Sequence, residues 1–292
     1  MTDYLMLLTA VLLLAGDFAI NKLYQKKVGA DARAVLLFNC INGLLTAGIF
    51  FVINGILNGF SFEFHWYSFL MAASMALFGL SYNFIGFRML RDGNMASYTL
   101  FLMTGGMVLP YVVGLIGLNE PFSVLRTLGL GVIFAGVFSA NAPKTRPSSK
   151  YMLMGGAVFV LNGLVSTVSK LHQIENTIPT VSSASFVMLS GLARSICCAL
   201  ALAFMKKGAE TGVPKRNMLI YLIAVSALFG GVSYLLQLIG AKSLPATVLY
   251  PIITGGSIIF SALAGRVFFK ERIGKQTLVG IALCFLGTCM FL

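Results

Sequence analysis

The sequence predicts an all-α polytopic membrane protein whose ten transmembrane helices form a 5+5 inverted repeat. Three observations predict this fold: an apolar composition, ten apolar runs of membrane-spanning length, and segments of the first half that recur in the second. Of the 292 residues, 58% are hydrophobic and only 10% are charged. Because a soluble domain carries about 25% charged residues, this chain lacks the polar surface that a water-soluble globule needs.

Ten apolar runs follow one another along the chain. A membrane-crossing helix needs about 20 mostly apolar residues, and the continuous runs exclude the alternating strands of a membrane barrel. The first run has no basic segment before it and no small-residue cleavage site after it, so we expect it to remain as helix 1. Short separators with turn or charge signals, such as "LNEPF" and "FKERIGK", divide the later runs. The predicted spans are 4–22, 34–57, 66–88, 95–117, 123–141, 151–171, 181–205, 217–240, 244–268 and 274–292.

The positive charges predict the orientation. Seventeen of the 21 Lys and Arg residues lie in or beside the loops that follow the odd-numbered helices. The opposite side, which includes both termini, carries only Arg126, Lys170 and Lys242. By the positive-inside rule, both termini are predicted to lie outside the cytoplasm, in a multi-pass protein of the cytoplasmic membrane. The net charge of +12 is therefore assigned to a membrane face and not to a nucleic-acid partner.

An internal duplication relates the two halves. The segment "ALFGLSY" (76–82) recurs as "ALFGGVSY" (227–234), and "ASYTLFLMTGG" (96–106) recurs as "ATVLYPIITGG" (246–256). Further pairs follow in the same order, at offsets from 148 to 152 residues. Because each half has an odd number of spans, the second half enters the membrane upside down, as in many secondary transporters.

The duplication sets the predicted domain organisation. An N-terminal five-helix repeat covers 1–142, a linker covers 143–150, and a C-terminal five-helix repeat covers 151–292.

The sequence resembles the ten-helix EamA-like branch of the drug/metabolite transporter superfamily. The resemblance rests on the repeat, on the acids Glu120 in "LNEPFS" and Glu271 in "FKERIG", and on "YPIITGGSIIFSALAG" with Pro251 in helix 9. Helix 4 departs from the pattern, with Phe101 at the matching position and Pro110 further on. The resemblance implies transport of small metabolites through a cavity lined mainly by helices 1, 3, 4, 6, 8 and 9. Many relatives in that family have cytoplasmic termini, whereas the charges of this chain predict termini outside the cytoplasm.

Glu120 and Glu271 each precede a helix, helices 5 and 10. A carboxylate at a helix N-terminus favours the exposed N–H groups and the positive end of the helix dipole. Both residues are therefore predicted to cap helices, with a substrate or gating role as the alternative.

Asp17 lies in helix 1, and it is the candidate for proton coupling because the other eight acids lie in loops or at span ends. Asn21 is four residues further on and so shares its helical face. Asp17 could instead be an interfacial aspartate that is balanced by Lys22.

Arg194 lies in the middle of helix 7, about 16–20 Å from each helix end and too far to reach either interface. A charge there must face protein or water. Two explanations stay open: the guanidinium pairs with Asp17 or with backbone carbonyls, or it faces the cavity and attracts a carboxylate or phosphate.

Other polar residues inside the predicted helices are candidates for the substrate cavity, although each could simply bond to a neighbouring helix. Tyr82 with Tyr234, and Thr104 with Thr254, are favoured because the duplication places them at equivalent depths. The glycine pairs that follow the two threonines suggest close packing or a bend. The full candidate set is Asp17, Asn21, Asn42, Tyr82, Asn83, Tyr98, Thr104, Asn162, Arg194, Tyr234, Gln237, Tyr250 and Thr254.

These features predict a secondary active transporter that moves a small amino-acid-like, or other polar or amphipathic, solute by alternating access. Proton coupling and exchange are both left open, and a monomer is expected to suffice. The alternatives are an intramembrane enzyme and a channel or lipid scramblase. The sequence has no catalytic set such as HExxH or paired mid-membrane aspartates, no nucleotide-binding GxxxxGK[ST] and no metal-type spacing. No cofactor is therefore expected, and the five cysteines are interpreted as reduced packing residues.

Overall fold

The computed structural model describes residues 2–28, 32–59, 63–92, 95–141, 149–205, 216–270 and 274–291. Within these ranges the chain is helical apart from short turns, and no strand occurs. The all-helical prediction with ten helices is confirmed. The helices are α1 (Thr2–Val28), α2 (Ala32–Asn58), α3 (Trp66–Asp92), α4 (Met95–Gly117), α5 (Val124–Asn141), α6 (Ser149–Ile174), α7 (Ser183–Phe204), α8 (Arg216–Ser243), α9 (Ala246–Phe269) and α10 (Lys275–Cys289).

The outer surface of the bundle is apolar. Ile116, Leu153 and Phe204 are 79%, 77% and 89% exposed, and many other large apolar side chains share this surface. Such a surface is stable in lipid, where backbone groups are satisfied within helices. Eight of the described helices are long and apolar enough to cross a membrane, while α5 and α10 are shorter apolar helices. The protein is therefore a multi-pass membrane protein.

Some helices extend beyond the predicted spans. Helix α1 continues to Val28 and α8 to Ser243, whereas the spans were predicted to end at 22 and 240. Hydropathy detects only the part of a helix within hydrocarbon, and Lys side chains are tolerated in the helical turns beyond it. Helix α6 begins at Ser149, within the predicted linker, and residues 142–148 lie outside the described ranges.

The helices pack with a pseudo-two-fold pattern in which each helix of the first half corresponds to the one five places later. Helix α1 packs against α8 and α9, and correspondingly α6 packs against α3 and α4. Helices α2 and α5 pack against their own counterparts, α7 and α10. This arrangement is the one that an inverted repeat requires.

Glycines show the same relationship at atomic scale between α5 and α10. A Cβ placed on Gly129 would lie 3.0 Å from the carbonyl oxygen of Gly287. A Cβ placed on Gly280 would lie 2.7 Å from the carbonyl oxygen of Gly136. Adding 151 residues to Gly129 and Gly136 gives Gly280 and Gly287, so the repeat converts one contact into the other.

Helix α9 lies at the centre of the largest apolar core. Every residue from 246 to 258 is buried. Its buried neighbours come from α1, α4, α5 and α10, and include Leu7, Met107, Ile133 and Cys284.

Candidate functional site

A cavity of about 460 Å³ lies between the two halves. Its lining comes from α1, α2, α3, α6, α7, α8 and α9. The family resemblance implied a lining mainly from helices 1, 3, 4, 6, 8 and 9. The expectation is wrong for helix 4, and helices α2 and α7 join the lining. Helix α4 contributes no lining residue among those described, because Gly105 and Gly106 pack directly onto Phe159 and Asn162 of α6.

The lining comes close to both ends of the bundle. Odd-numbered helices end and even-numbered helices begin at one end, which we call the basic end, and the opposite end is the far end. Val35 and Leu36, in the first turn of α2 at the basic end, line the cavity. Toward the far end the lining reaches Leu249, in the first turn of α9, and Val187, near the start of α7.

Eight of the thirteen candidate residues line this cavity. They come from α1, α2, α3, α7, α8 and α9, so the fold brings together residues more than 200 positions apart. These residues are Asp17, Asn42, Tyr82, Asn83, Arg194, Tyr234, Gln237 and Tyr250.

The other five candidates do not line the cavity, and three of them form structural hydrogen bonds. Asn162 Nδ2 donates to the carbonyl oxygen of Leu102 across 2.7 Å, which joins α6 to α4. Thr104 Oγ1 donates to Leu100 within its own helix, at 2.7 Å. Asn21 acts behind the cavity wall, where its Nδ2 donates to Asp17 Oδ2 at 3.2 Å.

Tyr98 and Thr254 are the remaining two. The Tyr98 ring fills the space beside Gly86, where a Cβ would lie 2.6 Å from it. Thr254 is buried in the core around α9. The glycines beside it provide close packing, since a Cβ on Gly256 would lie 2.9 Å from Val11.

Asp17 is held by neutral donors. Ser226 Oγ donates to Asp17 Oδ1 at 2.5 Å, and Asn42 Nδ2 donates to Ser226 Oγ at 3.1 Å. With Asn21, these residues connect α1, α2 and α8 in one polar network. Ser226 was not predicted from the sequence, since one serine in an apolar helix is no distinctive signal.

Arg194 lines the same cavity from α7. Among the described residues it has no salt bridge, either to Asp17 or to any other carboxylate, and no hydrogen bond to a carbonyl oxygen. Of the two explanations that the sequence left open, the geometry agrees with a guanidinium that faces the cavity.

Two tyrosines cover the cavity toward the far end. The hydroxyls of Tyr234 and Ser169 are 3.0 Å apart, and Tyr250 donates to the backbone oxygen of Ser166 at 2.5 Å. Both contacts join the second-half helices α8 and α9 to α6.

A buried polar cluster lies beyond the tyrosines. His172 Nε2 is 2.8 Å from Ser68 Oγ, and its ring stacks on Phe186 with centroids 3.7 Å apart. Gln173 Nε2 is 2.8 Å from His172 Nδ1, and Ser183 donates to Gln173 at 2.8 Å. This cluster joins α3, α6 and α7 near the far end, and it was not predicted from the sequence.

Glu120 caps a different helix from the one predicted. Its carboxylate accepts the backbone N–H groups of Ala246 at 2.6 Å and Thr247 at 2.9 Å, at the start of α9. The expectation that it caps helix 5 is therefore wrong. Asn119, with φ of 51°, turns the chain after α4 so that the carboxylate reaches α9. Glu271, its predicted equivalent, lies outside the described residues.

Lys170 stabilises the neighbouring helix end. Its Nζ donates to the carbonyl oxygens of Ala241 and Leu244, both at 2.6 Å, at the end of α8. A cation at a helix C-terminus and an anion at a helix N-terminus are both favourable. Lys170 and Glu120 therefore fix the turn between α8 and α9 from its two sides.

The fold and the cavity define a multi-pass membrane protein built around an internal chamber. Residues 150–292 match the EamA-like transporter family. This match covers the second half of the chain, and it confirms the resemblance that the sequence motifs indicated.

Other comparisons concern the fold. One solved crystal structure is similar with a TM-score of 0.78 and 18% sequence identity, over 99% of this chain and 96% of that chain. At this identity the likeness shows the fold alone. No match was found among curated proteins.

Proposed function

We propose that the protein is a secondary active transporter that moves a small metabolite across the cytoplasmic membrane by alternating access. The observation that carries this proposal is the chamber of about 460 Å³ between two inverted five-helix units. Its volume lies in the usual range for a small-molecule site, about 300–1,000 Å³. We expect an amino-acid-like or other small polar or amphipathic solute.

The far-end contacts suggest how access alternates. Tyr234 and Tyr250 line the cavity toward the far end, and the buried His172 cluster lies beyond them. In an inverted repeat, each half can adopt the other's shape, which moves the closure to the opposite end. We take the described conformation as the one open toward the basic end, which the charge distribution assigns to the cytoplasm.

Asp17 supports proton coupling as the energy source. It faces the cavity, and its partners Ser226 and Asn21 are neutral. Arg194 lines the same cavity but forms no salt bridge with Asp17, so the carboxylate can exchange a proton with the cavity without breaking one. Exchange of one solute for another is the second candidate mechanism.

Two other functions are less well supported. An intramembrane enzyme needs a catalytic pair in the cavity, and Asp17 is the only carboxylate among the cavity-lining residues of the described chain. A channel needs a continuous pore, and the buried His172 cluster lies between the cavity and the far end.

Counterflow in proteoliposomes tests the proposal. Purified full-length protein is reconstituted, the vesicles are loaded with one unlabelled solute at millimolar concentration, and entry of the same labelled solute is followed. Solutes are chosen by thermal-shift screening of a metabolite library, because binding raises the stability of the folded state.

A carrier gives saturable, transient accumulation of label that requires the unlabelled solute inside. Passive, non-saturating flux would contradict the proposal and favour a channel. The matched control is Gly156→Ala on α6, where an added Cβ contacts nothing within 4 Å, and this variant should transport like the wild type.

A further inference from the structure

Three polar side chains at the cavity wall are not used by the hydrogen bonds of the fold. The buried hydroxyl oxygens of Thr46 and Ser190 meet no partner at hydrogen-bond distance and angle among the described residues, and Ser190 lies beside the hydroxyl of Tyr234. Arg194, whose guanidinium has five donors, also has none within that part of the chain. All three residues line the cavity. A threonine inside a helix can donate to its own preceding turn, so the free Thr46 hydroxyl is a specific feature of this wall.

The packing of α2 on α7 brings these groups together. A Cβ placed on Gly191 would lie 3.3 Å from Cβ of Thr46, so the two helices touch at this level. Ser190 immediately precedes Gly191, and Arg194 follows Ser190 by four residues and shares its helical face. A hydroxyl from α2 and two side chains from α7 therefore flank one region of the wall.

The two-fold relationship shows that this region is asymmetric. The offset of 148 residues that relates Gly43 to Gly191 also relates Thr46 to Arg194. The first half thus carries a neutral hydroxyl where the second half carries a cation. Asp17, the carboxylate of the same cavity, already accepts hydrogen bonds at both oxygens, from Ser226 and Asn21.

A cation without a salt bridge at this depth is costly, by at least about 2.5 kcal/mol on insertion scales. A bound anion offsets that cost, because guanidinium donors match the oxygens of carboxylates and phosphates. We infer that Arg194, Ser190 and Thr46 form a subsite for the anionic group of the solute, and that the solute is a small organic anion. This inference rests on the proposed function in taking the cavity as the solute's site.

The test compares probes of one size and different charge. Benzoate, benzamide, benzylamine and phenyl phosphate are added to the purified full-length protein at constant ionic strength, and the midpoint of thermal unfolding is followed with concentration. Benzoate or phenyl phosphate should raise the midpoint in a saturable way, and benzamide and benzylamine should not. The anion that raises the midpoint more at equal concentration shows whether the site prefers a carboxylate or a phosphate. If benzylamine or benzamide raises the unfolding midpoint and neither benzoate nor phenyl phosphate does, the inference is overturned.

Variants locate the site. Arg194→Gln should weaken binding of the anionic probe by at least ~10-fold, and Thr46→Val and Ser190→Ala should each weaken it by about 2- to 10-fold. The matched control is Thr167→Val, which removes a buried hydroxyl outside this cavity that bonds within its own helix at 2.8 Å. Unchanged anion binding in Thr46→Val and Ser190→Ala would exclude the subsite even if Arg194→Gln failed to fold.

The unliganded proteins provide an independent measurement. Because Arg194 makes no hydrogen bond and no salt bridge within the described chain, Arg194→Gln should lower the unfolding midpoint little. A large decrease would mean that Arg194 is a structural residue and would overturn the inference. Binding and counterflow can fail separately. Anion binding without counterflow would contradict the proposed transport but still support the subsite. Counterflow of neutral or cationic solutes only would contradict the subsite but still support transport.

Discussion

Gly43 of α2 and Gly191 of α7 lie against each other's backbone. A Cβ placed on Gly43 would lie 2.6 Å from the carbonyl oxygen of Gly191, and one placed on Gly191 would lie 2.7 Å from that of Gly43. The two residues are equivalent in the repeat, so this contact lies on the pseudo-two-fold axis. It sets the separation of α2 and α7, and with it the position of Thr46 beside Gly191.

Alanine at either glycine should therefore destabilise the protein. The added methyl group would overlap backbone, which cannot move aside as a side chain could, and overpacking of this kind costs about 1–3 kcal/mol. Thermal unfolding of Gly43→Ala and Gly191→Ala in detergent should show a clear decrease in midpoint for each.

Gly48→Ala is the control on the same helix, since a Cβ there meets nothing within 4 Å. Its midpoint should be unchanged or raised, because alanine favours a helix over glycine by about 0.5–1 kcal/mol. An equal loss for Gly48→Ala and Gly43→Ala would show that the axis contact has no special role.

Removal of the Glu120 charge should destabilise the start of α9. Glu120→Gln keeps the size of the side chain but weakens its bonds to the N–H groups of Ala246 and Thr247, and we expect a loss of about 1–2 kcal/mol. Thermal unfolding measures it. The control is Glu175→Gln, because Glu175 bonds only to its own loop, at Thr177 and Ile178. If the two variants lose the same stability, Glu120 does not act as a cap.

The role of Glu120 shows what the sequence could and could not predict. Apolar runs and their repetition are one-dimensional patterns, so ten helices and their pairing by halves can be predicted from them. The acid before helix 5 could also be identified as a cap. Its partner could not, because Ala246 is 126 residues away and only the tertiary packing brings α9 to it.

The cavity residues show a second limit. Tyr82 and Tyr234 line the cavity, whereas Thr104 and Thr254 do not, although both pairs are related by the duplication. A soluble helix reveals its buried face by polarity, but these helices are apolar on all sides. Depth could therefore be estimated from the sequence, while the direction that each side chain faces could not. Ser226 and Thr46 were missed for the same reason.

Accessible tags at both termini should test the orientation. The excess of Lys and Arg at the basic end predicts that this end faces the cytoplasm, so epitope tags at residues 1 and 292 should react with antibody in intact cells or spheroplasts. A third tag in the loop between α5 and α6, at the basic end, should react only after permeabilisation. The reverse pattern would place the termini in the cytoplasm and the cavity opening on the outer side.

Asp17→Asn should separate proton coupling from solute movement. The amide has nearly the volume of the carboxylate, and its oxygen can still accept the hydrogen bond from Ser226. Its Nδ2 replaces the oxygen that accepts from Asn21, so the bond to Asn21 is kept when the Asn21 amide turns over and presents its oxygen. The variant cannot bind and release a proton, so accumulation driven by a pH gradient should disappear while solute counterflow remains. Ser226→Ala provides the comparison, because it removes a donor to Asp17 but leaves the carboxylate able to titrate, and gradient-driven uptake should be reduced and not abolished. If Asp17→Asn still accumulates solute in response to a pH gradient, Asp17 is not the coupling site and exchange becomes the better mechanism.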